Sequence, residues 1–134
     1  MKKVIVTVEL ADNNYAAFLE KLPGCVSTGK TFDELKDNIK EAVTFHLDGM
    51  REDNDEIPSE FLGEYELVFH FDTQSLLMHY NGIFTNAALE RLTGINQRQL
   101  QHYASGVSKP RREQAKKIEN ALHALGRELL VVEL

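Results

Sequence analysis

Apolar and polar residues alternate from Lys3 to Leu10, with Val4, Val6, Val8 and Leu10 on one side and Lys3, Thr7 and Glu9 on the other. A period of two predicts a half-buried strand. Asp12-Asn13-Asn14 is turn chemistry, and Tyr15 to Leu19 predicts a second short strand. Pro23-Gly24 breaks the chain, and Cys25 to Thr28 predicts a third strand of an antiparallel meander. The period then changes. Thr31 and Glu34 form a capping box, and Leu35, Ile39, Ala42, Val43 and His46 recur at helical spacing, predicting a helix that ends near Gly49. Arg51 to Glu56 is a charged loop, followed by Ile57-Pro58-Ser59. From Glu64 to Phe71 alternation returns, with Tyr65, Leu67, Phe69 and Phe71 on one face. The order β-β-β-α-β predicts an α+β domain over residues 1–71, with a helix laid on a small sheet.

Residues 72–134 read differently. Leu76, Leu77 and Tyr80 predict a first helix from Asp72 that closes at Asn81-Gly82. Thr85 caps a second helix with Ala88, Leu89 and Leu92 as its packing residues, and Gly94 supplies a turn. Asn96 caps a third helix, which buries Leu100 and Tyr103 together with Ile95 and is stopped by Gly106. A long helix is predicted from Lys109-Pro110, with Ala115, Ile118, Leu122 and Leu125 as its stripe and Gly126 at its end. The tail from Glu128 to Leu134, ELLVVEL, predicts a strand. An isolated strand needs a partner edge, and pairing across a two-fold axis predicts a homodimer through the tail and the C-terminal half.

Charge sharpens this division. Residues 1–71 hold 7 Lys/Arg against 15 Asp/Glu, a net of −8; residues 72–134 hold 8 against 6, a net of +2. An acidic half suits a basic protein partner, or is simply a solubilising surface; a mildly basic half suits phosphates. Gln97, Arg98, Gln101 and His102 lie on the outer side of the third helix of the second half. Gln pairs bidentately with adenine and Arg with guanine, so this face is a candidate reader of the DNA major groove. Lys109, Arg111 and Arg112 add positive charge nearby.

Catalysis finds less support. A metal-dependent nuclease needs carboxylates that converge on hard cations, yet Glu9 is the only acid inside the first strand and most others lie on a helix surface or in a loop. Cys25 has no base beside it in the sequence, and His46 on the edge of an apolar stripe lacks catalytic partners. The chain is read as a non-enzyme without metal or cofactor. A single cysteine suits a reducing cytoplasm, and no apolar run approaches the roughly 20 residues that cross a membrane. The lysine-led N-terminus alternates instead of forming the apolar core of a signal peptide.

The string from Tyr15 to Val43 resembles the N-terminal domain of HicB-type antitoxins. Tyr15, Leu22-Pro23-Gly24-Cys25, Gly29, Thr31, Glu34 and the later Ile57-Pro58 carry the likeness. The resemblance implies a partial RNase H-like fold over residues 1–71 that is not a nuclease. It also implies a surface that binds and masks a small HicA-type RNase toxin. Residues 85–110 resemble the Cro/C1-type helix-turn-helix, through Thr85, Leu89, Gly94-Ile95, Gln97, Leu100, Gly106 and Lys109-Pro110. By that likeness Gln97, Arg98, Gln101 and His102 face bases, and Asn86, Asn96, Lys109, Arg111 and Arg112 sit near phosphates of operator DNA. The sequence departs from the pattern where Glu90 replaces a small residue and Thr93 an apolar one, which leaves the turn length open. The expected function is an antitoxin that represses its own operon. The alternative is a stand-alone helix-turn-helix regulator whose N-terminal domain senses a ligand or dimerises.

Overall fold

A computed structural model describes all 134 residues as two compact units, Met1–Asp72 and Thr73–Leu134. It has mixed α/β character, with one four-stranded sheet and five α-helices.

The first unit contains β1 (Lys2–Leu10), β2 (Tyr15–Phe18), β3 (Val26–Gly29), α1 (Phe32–Glu52), a single 3-10 turn (Ser59–Phe61) and β4 (Tyr65–Phe71). The sheet order is β3-β2-β1-β4. The first three strands form the expected antiparallel meander. Helix α1 carries the chain over the sheet, so that β4 arrives parallel to β1, with Val4 opposite Leu67 and Val6 opposite Phe69. Parallel neighbours need a crossover of this kind, since a tight turn only reverses the chain. The inward residues of β1 (Val4, Val6 and Val8) meet Leu35, Ile39, Val43 and Leu47 of α1, all almost fully buried. On the sheet's other face Ile5 is 51% exposed.

Thr31 caps α1 as expected: its hydroxyl accepts from the Glu34 N–H at 3.1 Å. Gly29 has a steric role. A Cβ there would lie 2.5 Å from the Leu35 backbone nitrogen, so only glycine lets α1 start this close to β3. Helix α1 does not stop at Gly49. It runs through Arg51 and Glu52, expected in the loop, and is capped where the Asp53 N–H donates to the Gly49 and Arg51 carbonyls. A glycine inside a helix costs only about 1 kcal/mol, which the long buried stripe outweighs. The 3-10 turn, invisible as a pattern, buries Phe61 against Tyr65 in an edge-to-face contact.

The second unit contains α2 (Thr73–His79), α3 (Asn86–Thr93), α4 (Gln97–Ser105) and α5 (Arg112–Leu130). Its core is small: Leu77, Leu89, Ile95, Leu100, Tyr103 and Ile118, with Phe84, Ala104 and Leu122 at the edge. Two expectations need correction. Helix α5 starts at Arg112, so Pro110 lies outside it and is not its first residue. The tail is not a strand. The helix passes through Gly126 to Leu130, and the Val131 N–H closes the end on Glu128 and Leu129 carbonyls. Leu129 falls on the turn after Leu125, so the helical period outlasts the glycine that seemed to end it. Pairing of tail strands across a two-fold axis is therefore not the geometry of this segment.

Candidate nucleic-acid interface

Helices α3 and α4 are joined by Gly94-Ile95-Asn96, and each end of this turn is closed by named groups. The Thr85 hydroxyl accepts from the Ala88 N–H at 3.0 Å and starts α3. Gly94 ends it in the left-handed region (φ 76°), where glycine alone pays no Cβ penalty, and its N–H donates to the Glu90 carbonyl at 2.8 Å. Ile95 is buried and anchors the turn to the core. Asn96 caps α4, its side-chain oxygen accepting from the Arg98 N–H at 2.8 Å. Leu100 and Tyr103 hold the inner side of α4 in place.

Glu90 and Thr93, the two departures from the expected helix-turn-helix pattern, each hold the turn in place. Glu90 reaches across the turn and takes both the Gln97 backbone N–H (3.1 Å) and the Gln97 side-chain amide (3.3 Å). A carboxylate at a helix N-terminus satisfies an otherwise unpaired N–H and meets the positive end of the helix dipole. The Thr93 hydroxyl donates to the Leu89 carbonyl at 2.6 Å and accepts from the Ile95 N–H at 3.1 Å, so it splices the end of α3 into the turn. Neither role is visible in a pattern match. The cue available was a carboxylate seven residues before the first residue of a helix.

The expected reading residues separate by partner. With about 100° between successive helical residues, Arg98 lies nearly opposite the buried Leu100 and Tyr103 side, flanked by Gln101 and His102. Arg98 is exposed at the centre of the outer face. Gln101 is exposed and accepts from the Asn86 side-chain amide of α3 at 3.0 Å, which leaves its own NH2 group directed elsewhere. Gln97 is exposed but tethered to Glu90, and His102 is half-buried. Lys109, Arg111 and Arg112 are all exposed. Lys109 and Arg111 line a shallow hollow with Gln99, Tyr103 and Ser108, on the other flank of α4. A side-chain bond from Gln99 to the Ser108 hydroxyl (3.2 Å) ties the basic segment to that flank. The structure thus brings Asn86 to Gln101 and Lys109 to Gln99, while Asn96 is spent on capping.

The first unit offers a second surface. The outer side of α1 carries Phe45, 82% exposed, with Glu41 and Asp48 on adjacent turns of the same face. Glu34 and Glu52 fall on that face too by helical geometry. Cys25, by contrast, is buried, and burial raises its thiol pKa, away from the reactive thiolate. No helix is long and apolar enough to cross a membrane.

Comparison with known proteins bears on the first unit. Residues 4–68 match the family described as the HicB_like antitoxin of bacterial toxin-antitoxin systems. The chain is 33% identical over 60 residues to a UPF0150 protein of Thermoplasma acidophilum, covering 45% of this chain and 87% of that one. It is 35% identical over 63 residues to a UPF0150 protein of Archaeoglobus fulgidus, covering 47% and 87%. An uncharacterized 14.9 kDa protein from the rep-hol intergenic region of Haemophilus phage HP1 is 40% identical over 53 residues. The chain spans only 40% of that phage protein's length. Through residues 4–68 this chain belongs to the HicB-like antitoxin family, and it is similar to UPF0150 proteins.

Proposed function

We propose that the protein is the antitoxin of a toxin–antitoxin pair, neutralising a small basic HicA-type RNase through its first unit and repressing its own operon through its second. The observation that carries the first half is the face of α1: an exposed phenylalanine amid carboxylates, inside the family-matched domain of a half with net charge −8. A desolvated aromatic gives an interface its anchor, and the acids around it steer a basic partner. The β-β-β-α-β order with its parallel β1–β4 pair supports reading this unit as a partial RNase H-like fold with a binding role and no catalysis.

The second half of the proposal rests on the α3–α4 pair, read as a helix-turn-helix. Arg98, Gln101 and His102 form the base-reading face, and Gln97 borders it. Asn86, Lys109, Arg111 and Arg112, with the N-terminus of α4 at Asn96, position the phosphates. A homodimer would join two half-sites. Its contact is the end of α5 and the residues that follow it, through Leu129, Leu130, Val131 and Val132, which are all exposed. We place the protein in the cytoplasm, where toxin and operator both are.

Co-expression with the product of a small neighbouring reading frame tests the first half. Rescue of growth and co-purification are expected, and Phe45→Asp should abolish both while leaving the fold intact. A chain that neither rescues growth nor co-purifies is not an antitoxin for that protein. The alternative, a ligand-sensing regulator, would then retain operator binding without any toxin.

A further inference from the structure

The two edges of the sheet differ. β3 is a four-residue edge ending in glycine, too short to template much pairing. β4 is seven residues long, Tyr-Glu-Leu-Val-Phe-His-Phe, and is hydrogen-bonded to β1 on one side only. Of the devices that protect a sheet edge it has only the one acid Glu66: it has no lysine or proline and its register with β1 shows no bulge. Its inward residues Tyr65, Leu67 and Phe69 remain only partly buried, and beside them runs a groove walled by Lys40, Val43 and Thr44 of α1.

The order of residues in β4 suggests what covers this edge. About Val68 the strand is self-complementary. An antiparallel copy would set Tyr65 against Phe71 and Leu67 against Phe69 on the inner face. On the outer face it would set Glu66 against His70, with Val68 against its own counterpart. Aromatic pairs, apolar pairs and opposite charges are the cross-strand combinations that stabilise a sheet. Glu66 and His70 are exposed, and across β1 they face Lys3 and Thr7 respectively, so no acid on β1 opposes the pairing. We infer that β4 pairs antiparallel with β4 of a second copy, around a two-fold axis at Val68, joining two sheets into one. This contact lies in the first unit and does not rest on the toxin or operator readings. Together with the contact proposed at the end of α5, it would let two-fold dimers assemble further, since each copy would carry two different isologous surfaces.

Site-specific cross-linking of the full chain tests the register, and the native Cys25, being buried, leaves little background. Val68→Cys treated with a short bis-maleimide should give a covalent dimer in high yield, and Leu129→Glu in the same chain should not reduce it. A Glu66→Cys chain mixed with a His70→Cys chain should cross-link more than either alone. His70→Glu, which sets acid against acid twice, should weaken sedimentation-measured association roughly tenfold, and Glu66→Lys added to it should restore much of that loss. Val68→Cys cross-linking no better than Thr28→Cys on the opposite edge would overturn the proposal. So would β4 amides that become protected from exchange only on adding a small basic protein, which would assign the edge to a partner's strand.

Discussion

The two units differ in how much of their order comes from a core and how much from polar side chains. In the first, a 21-residue helix covers a sheet, and twelve buried apolar side chains form a continuous core. Its side-chain bonds are partly local, as in the i,i+3 pairs Lys36–Asp33 and Arg51–Asp48, and those that cross elements mostly end on backbone carbonyls, as from Lys2 to Ser59 and Leu62 and from Asn38 to Thr28. In the second, six buried side chains do the same task for four helices, and polar side chains bridge one element to the next: Glu90 to Gln97, Asn86 to Gln101, Gln99 to Ser108. A unit whose helices are short and whose core is thin must fix their mutual geometry at the surface. The proposed DNA-reading role would need precision at the same place, because base contacts tolerate little displacement.

Core truncation gives the strongest test of this contrast. Ile39→Ala and Leu100→Ala each remove a fully buried side chain and should each cost about 2–5 kcal/mol of stability. The damage should stay within one core. Leu100→Ala should abolish operator binding yet leave the amides of β1 protected from exchange, and Ile39→Ala should do the converse. Loss of β1 protection in Leu100→Ala would show that the cores are not separate.

The proposed reading face comes next. Arg98→Ala should cost about 1–3 kcal/mol of binding at one base position and relax specificity there. Lys109→Ala should weaken binding to every sequence alike and reduce the salt slope by about one contact. Equal, sequence-independent losses from both would remove Arg98 from base reading. Glu90→Ala should be milder, about 0.5–2 kcal/mol of thermal stability from the lost cap, with reduced operator affinity as Gln97 comes loose. A neutral Glu90→Ala would mean that the bridge to Gln97 does not order the turn. The smallest effect belongs to Lys116→Ala, which breaks an exposed pair with Glu119 at 2.8 Å and should change stability by less than about 0.5 kcal/mol.

Wherever side-chain period and local capping coincide, the elements were legible. Alternation marked β1 and β4, the capping box at Thr31 and Glu34 marked the start of α1, and Thr85, Gly94, Asn96 and Gly106 marked the limits of α3 and α4. The string from Tyr15 to Val43 was enough to point to the HicB-like family, which the match over residues 4–68 bears out. Errors gathered at glycines and at the tail. Gly49 and Gly126 read as stops, yet both lie inside helices: the buried stripe of α1 outweighs the roughly 1 kcal/mol that its glycine costs, and in α5 the apolar spacing continues past the glycine from Leu125 to Leu129. Of ELLVVEL, Glu128 to Leu130 continue the helix of the residues before them, and the strand expected over the whole segment does not form.

By itself, then, the sequence determined the order of elements, the acidic and basic halves and the apolar faces, since each depends on residues within a few positions of one another. Only the tertiary structure decided that β4 lies parallel to β1 at one edge of the sheet, that Glu90 holds Gln97, and that Gln101 is shared with Asn86. Those facts join residues from 7 to more than 60 positions apart along the chain. The spacing of such pairs in space is set by how the helices and strands pack, which no local pattern records.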